Sequence, residues 1–248
     1  MVDTLTDLVA AELAVPVDPR VAAMAAAIAG RYGAAARAIL FYGSCLRSRE
    51  LDGQMLDFYL IVSSYREAYG RSWLAPANRF IPPNVFPFEH DGLAAKYAVL
   101  SEADLARECS PEARSVSVWA RFAQPSRLIW AADEASRERT VAAVAEAAPT
   151  LFRLTLPMLD GRAAPDPLDI WRRGFSLTYG AELRAERETR SASIVDSDAA
   201  RYRRFAVAAL AEIGGSGGDV PPSLMRRRWP LLGAVTLLPR LLRQKAIR

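Results

Sequence analysis

Cysteine, histidine and lysine are scarce in this 248-residue chain: two cysteines, one histidine and two lysines stand against 30 arginines. Cys45 and Cys109 are too few for a disulfide framework, which fits a reducing compartment. With His90 as the single histidine, a Cys/His zinc site has too few soft ligands. A catalytic metal would have to be held by oxygen, which points to magnesium or manganese. No apolar run reaches the roughly 18–20 residues that span a bilayer. No base precedes Arg20, while Asp3 and Asp7 stand near the start, the opposite of the charge that secretory and mitochondrial targeting segments carry. These absences set the expectation of a cytoplasmic protein, with any membrane contact peripheral and on the inner face.

What is present is an ordinary globular composition, 51% hydrophobic and 24% charged, enough to bury a core in one large domain or in a domain with a smaller companion. The net charge of +4 is unevenly placed. From Met225 onward there are seven bases and no acid, leaving 25 bases against 28 acids in the body. Within that tail, Arg226, Arg227, Arg228, Arg240 and Arg243 border Trp229 and the leucine-rich stretch from Leu231 to Leu238. An apolar face with a basic border is the composition of an interfacial segment. Each base near an anionic bilayer contributes about 1 kcal/mol. These five arginines and Trp229 are therefore candidates for contact with an anionic membrane surface; the alternative is a basic helix packed on the body. Nucleic acid is not expected as a partner, because the rest of the chain has no basic, aromatic-studded face.

Patterning along the chain predicts an α/β part followed by a helical part. Residues 21–37 are Ala-rich and predict a buried helix. Ala38–Tyr42 and Met55–Val62 predict core strands, and Lys96–Leu100 and Arg127–Trp130 predict two more. Ser101 is a candidate cap for a helix over 102–107. The Pro-rich stretch from Trp73 to Glu89 predicts a long irregular loop. Beyond Asp133 the pattern predicts helices over 134–159, 167–185 and 197–213, with one weak strand candidate at Ser193–Val195. Gly214–Pro222 has a linker's composition. The expected organisation is an α/β domain over 1–132, a helical domain over 133–213, and a linker with a basic amphipathic tail over 214–248.

The motif that carries chemistry is Phe41-Tyr42-Gly43-Ser44 at the end of one apolar run, with Asp57 set inside the next, thirteen positions after Ser44. Glycine lets backbone approach an anion closely. A serine hydroxyl and backbone N–H groups at such a turn can cradle phosphate oxygens. A carboxylate on the neighbouring strand can hold Mg²⁺ against those phosphates, since magnesium commonly takes one or two carboxylates plus phosphate and water. The competing reading is a plain turn beside a buried Asp satisfied by a cap or an Arg. Lys96 stands out where arginine serves nearly everywhere else, and a compact point charge suits phosphate. Tyr42 is a candidate for nucleobase contact or for core packing, Cys45 for a small buried residue, and Arg121 and Gln124 for site lining or a structural turn.

The constellation resembles the nucleotidyltransferase signature, in which Gly-Ser precedes a strand carrying Asp-x-Asp or Asp-x-Glu; here Tyr59 stands where the second acid would be. Within that superfamily the chain resembles the mitochondrial-type phosphatidate cytidylyltransferases (CDP-diacylglycerol synthases), whose Tyr-Gly-Ser-Gly and Met-Leu-Asp-Phe stretches match Tyr42-Gly43-Ser44-Cys45 and Met55-Leu56-Asp57-Phe58 apart from Cys45. Lys96-Tyr97-Ala98-Val99, Trp119 to Pro125 and Leu177 to Arg184 are similar to further stretches of that family in the same order, so that the likeness covers about residues 38–205. The resemblance implies a nucleotidyltransferase-fold mixed sheet with helices, and transfer of CMP from CTP to phosphatidic acid with Mg²⁺. It implies Tyr42, Gly43, Ser44 and Tyr179 for the nucleotide, Asp57 for the metal, and Lys96, Glu182 and Arg184 completing the catalytic set. Without it, Glu182 and Arg184 read as members of a surface charge run with Glu186, Arg187 and Glu188. Two further readings stay open: a nucleotidyltransferase with a soluble acceptor, and a degenerate scaffold that binds a lipid or a partner.

Overall fold

The computed structural model describes residues 3–48, 50–70, 72–80, 83–159, 165–181, 193–215, 229 and 232. In chain order the first elements are α1 (Leu5–Leu13), α2 (Pro19–Gly30), β1 (Ala36–Tyr42), α3 (Ser44–Ser48), β2 (Met55–Val62), α4 (Tyr65–Tyr69) and α5 (Leu74–Phe80). Then come β3 (Asn84–His90), β4 (Leu93–Ser101), α6 (Glu102–Cys109), α7 (Trp119–Phe122), β5 (Ser126–Ala131) and α8 (Glu134–Ala145). The last are α9 (Ala147–Thr155), α10 (Pro167–Ala181) and α11 (Ala199–Gly215). The class is α/β, with a five-stranded mixed sheet in the order β3-β4-β2-β1-β5. Only β2 and β4 run parallel; the β1–β2, β1–β5 and β3–β4 pairs are antiparallel.

The chain divides into two compact units, one of residues 9–107 with 124–144 and one of residues 1–8, 108–123 and 145–248. This differs from the sequence-based boundary at 132/133. The segment 108–123, placed with the sheet by order along the chain, belongs to the helical unit, and α8 belongs almost wholly with the sheet. Linear patterning cannot see either exchange, because it depends on which long-range contacts each segment makes.

Local chemistry sets the sheet unit's elements. Asp18 caps α2 by accepting the Arg20 N–H at 2.8 Å, with Pro19 at the first helical position. The expected helix over 21–37 stops at Gly30, and Gly33 takes a positive φ of 50° before β1 starts at Ala36. Ser101 caps α6 as expected, its Oγ accepting from the Asp104 N–H at 3.1 Å. In β2, Leu56, Phe58, Leu60 and Val62 point to one face, into a core with Met24, Ile28, Phe41 and Tyr97, while Asp57, Tyr59 and Ile61 point to the other.

The Pro-rich stretch is not an irregular loop. It holds α5 and the edge strand β3, with Pro87 in the middle of β3, opposite Lys96. An edge strand tolerates the missing N–H that a central strand does not. Asp91 and Gly92, with φ of 47° and 76°, link β3 to β4 between the paired His90 and Leu93. That is a two-residue hairpin turn with both φ positive, for which Asp-Gly is a favoured sequence.

In the helical unit Trp171 is fully buried against Phe152, Phe175 and Tyr202, and its indole N–H donates to the Tyr202 carbonyl at 2.9 Å. Residues 193–196 are helical rather than extended, with Ile194 and Val195 buried, so their apolar character serves packing and not a strand. The α9–α10 crossing is close at Gly174, where a Cβ would lie 2.5 Å from Leu151 Cδ2 and 2.8 Å from Thr155 Oγ1. Alanine gains about 1 kcal/mol of helix propensity over glycine, but overpacking costs about 1–3 kcal/mol. Gly174→Ala is therefore expected to lower the urea midpoint, and a raised midpoint would show that the crossing has slack.

Trp229, read from sequence as a membrane contact, is buried in this unit. Its ring meets Trp119 at 6.1 Å between centroids, and its N–H donates to the Leu154 carbonyl at 3.0 Å. An indole with its apolar face packed and its one donor satisfied is a core residue. Arg226, Arg227, Arg228, Arg240 and Arg243 lie outside the described residues. Among the described residues no helix is long and apolar enough to cross a membrane.

Candidate functional site

Three neighbouring strands place the sequence-selected residues in one row. Tyr42 at the end of β1 pairs with Asp57 of β2, and Asp57 pairs with Lys96 of β4. Side chains directly opposite across a sheet share a face. Asp57 Oδ1 lies 3.2 Å from Lys96 Nζ, with the Asp57 side chain 20% exposed and that of Lys96 52% exposed. Burial of the carboxylate is thus partial, and its nearest cation is a flexible ammonium that can move away without breaking the core.

Gly43 follows Tyr42 with φ of 101°, and a Cβ there would stand 3.0 Å from Asp57 Oδ2. A side chain is excluded twice, by the backbone conformation and by the carboxylate. The turn and the acid that the sequence separates by a dozen residues are therefore in contact. Ser44 is exposed at the first position of α3. Cys45 is buried, its thiol directed at the Met55 carbonyl at 3.6 Å, which fastens the short helix to the start of β2. It is a packing residue, as its size suggests.

Tyr59, in the place of the second acid, is 2% exposed, and its ring centroid lies 5.2 Å from that of Tyr42. The pair forms an aromatic wall next to Asp57 on the same face. Among the described residues no three His, Cys, Asp or Glu side chains converge on one point. A single carboxylate with one oxygen already paired to Lys96 does not fit a caged, resident ion. It does fit Mg²⁺ brought in by a polyphosphate, which needs one protein carboxylate and takes its remaining ligands from phosphate and water.

The other selected residues fall elsewhere. Tyr179 is half-buried on α10 in the helical unit. Glu182 and Arg184 lie outside the described residues. Arg121 donates to the Ser117 carbonyl. His90 ends β3 at the hairpin, its ring stacked on Phe88 and 3.5 Å from the Asp91 carboxylate.

Sequence reasoning missed the surroundings of Lys96. Pro87 stands directly opposite it on β3, and the exposed Met55 and Val85 sit diagonally to either side. The signal that could have found them was Asp91-Gly92, which ties the Pro-rich stretch to the lysine strand as a hairpin. No family model matches the chain and no curated protein matches it.

Proposed function

We propose that the protein is a magnesium-dependent nucleotidyltransferase that moves CMP from CTP to phosphatidic acid, giving CDP-diacylglycerol and pyrophosphate. The observation that carries the reading is the contact of a positive-φ Gly43 with the carboxylate of Asp57, itself paired to Lys96. A glycine turn gives phosphate a close approach to backbone, the acid offers a ligand to a divalent cation, and the lysine offers a mobile positive charge. The ordered similarity of residues 38–205 to phosphatidate cytidylyltransferases supports the choice of CTP and phosphatidic acid.

In this reading Gly43 and Ser44 hold the triphosphate, and Lys96 swings from Asp57 onto phosphate oxygens. Mg²⁺, when bound, supplies charge neutralisation on the phosphates and stabilises the leaving group. A phosphatidate oxygen attacks the α-phosphorus of CTP, the bond from that phosphorus to the bridging oxygen breaks, and the electron pair leaves with pyrophosphate. The acceptor is already an anion, so no general base is required. Catalysis then consists of alignment and charge stabilisation. The five arginines of the tail would hold the protein on an anionic, cytoplasmic-face membrane.

One observation favours a second reading, a scaffold that has lost catalysis. Tyr59 is a core aromatic where the second acid would stand, and Asp57 is neutralised by Lys96. The 248-residue chain with CTP, Mg²⁺ and phosphatidic acid in mixed micelles separates the two. Pyrophosphate release above a protein-free blank is expected. Magnesium-dependent CTP binding without release with any lipid phosphate would point to a soluble acceptor. The absence of both would leave the scaffold.

A further inference from the structure

The row of side chains that passes through Asp57 continues beyond Tyr42 to Ser126, the first residue of β5. Lys96, Asp57, Tyr42 and Ser126 stand opposite one another on four neighbouring strands, so all four share a face. Neighbouring strands are about 4.8 Å apart, which puts Ser126 about 10 Å from Asp57. Ser126 is 1% exposed, and its hydroxyl has no hydrogen-bond partner among the described residues. The buried hydroxyls of Thr140, Thr155 and Thr178 show how such groups are satisfied on a helix. Each donates to a carbonyl three or four positions back, at 2.7–2.8 Å. A strand offers no carbonyl in that position, and a buried polar group left unpaired lowers stability. At Ser126 that cost falls on the face that carries the acid and the lysine.

We propose that Ser126 reads the nucleobase, its hydroxyl forming a hydrogen bond with the polar edge of the base while the base lies against Tyr42. The inference rests on the nucleotide site proposed above for the placing of the phosphates, and adds the residue that meets the base. The groups along the row follow the order of a nucleotide. Lys96 meets phosphate, Asp57 the metal and Tyr42 the flat face of the base, since aromatic side chains stack on bases. Ser126 then lies where the far edge of that base ends. The edge of cytosine presents an amino donor beside ring acceptors, and a serine hydroxyl is donor and acceptor at once. A role for Ser126 toward phosphate is disfavoured by its setting, because Leu128, two positions on and on the same face, is also buried. Ser126 is closed to solvent in the free chain, so the half-buried Tyr42 side chain turns aside as the base enters.

The test titrates the 248-residue chain calorimetrically with CTP and, separately, with inorganic tripolyphosphate, both with Mg²⁺, as wild type and as Ser126→Ala. A urea titration of both proteins runs beside it. Loss of one hydrogen bond is expected to weaken CTP binding about five- to tenfold. Tripolyphosphate has no base and is expected to bind both proteins alike. The urea midpoint of the variant is expected to be unchanged or raised, because the hydroxyl it removes is buried without a partner in the free chain. A purely structural hydroxyl would do the reverse, lowering the midpoint and leaving CTP affinity as it was, and that result overturns the proposal. An equal loss for CTP and tripolyphosphate also overturns it, since Ser126 would then serve the phosphates. No CTP binding by the wild type would remove the nucleotide site and this inference together. CTP binding that depends on Ser126, with no pyrophosphate release in the presence of phosphatidic acid, would instead contradict the transferase reading and leave the base contact standing.

Discussion

Asp57→Asn is expected to lower pyrophosphate release by on the order of 10²–10³-fold, the scale seen when a preorganised electrostatic contact to the transition state is removed. Asparagine keeps the size of the side chain, so the contact with Gly43 survives. The lost pair to Lys96 is partly exposed and contributes at most about 1 kcal/mol, so the fold should hold. What goes is the charge that would bind the cation. The variant also leaves Lys96 without its partner, which makes the site more positive. CTP binding in the absence of metal should therefore be retained or improved, while its dependence on Mg²⁺ disappears. Turnover and nucleotide affinity moving in opposite directions distinguishes a metal ligand from a structural carboxylate. If the variant lost stability and kept turnover per folded molecule, Asp57 would be a structural residue.

Gly43→Ala should act by two routes that can be separated. A Cβ at φ of 101° costs about 1–3 kcal/mol of backbone strain. It also meets Asp57 Oδ2 at 3.0 Å, closer than nine in ten real Cβ contacts, and pushes the carboxylate out of line. Gly53 provides the control. It has φ of 72°, but a Cβ there would meet nothing within 4 Å. Gly53→Ala should thus lose comparable stability in a urea titration and keep magnesium-linked CTP affinity. Gly43→Ala should lose both, with binding down by about tenfold or more for even a modest displacement of the ligand. Equal binding in the two variants would mean that the close approach at Gly43 has no part in the site.

How far the sequence discloses this arrangement depends on the residue. β1, β2 and β4 are legible because each is a largely apolar run, as a central strand covered on both faces has to be, and β5, at the sheet's other edge, because of its apolar Leu128-Ile129-Trp130 stretch. Asp57 is legible because a lone acid in such a run needs a reason. Gly43 and Asp57 are legible as a pair because a short excursion between adjacent antiparallel strands brings the end of the first back to the start of the second. The exact partner of Lys96 is not legible, since the register of a parallel pair is set by the packing of the whole sheet. β3 was hidden by its prolines, whose cost vanishes at an edge. Trp229 was misread for a related reason. A tryptophan among arginines and leucines has the same composition in an interfacial helix and in a helix docked on a core, and only tertiary contacts with Trp119 and Leu154 decide between them. The division into units was obscured by the excursion of 108–123, which leaves the sheet unit and returns to it.

In the proposed function Asp57 takes up a divalent cation together with a polyphosphate next to Gly43. Calorimetric titration of the full chain with CTP, with and without Mg²⁺, addresses this before any acceptor is known. Affinity that rises at least about tenfold with Mg²⁺ in the wild type, and is indifferent to Mg²⁺ in Asp57→Asn, is the expected outcome. Nucleotide binding that ignores magnesium in both proteins, or no binding in either, would contradict it.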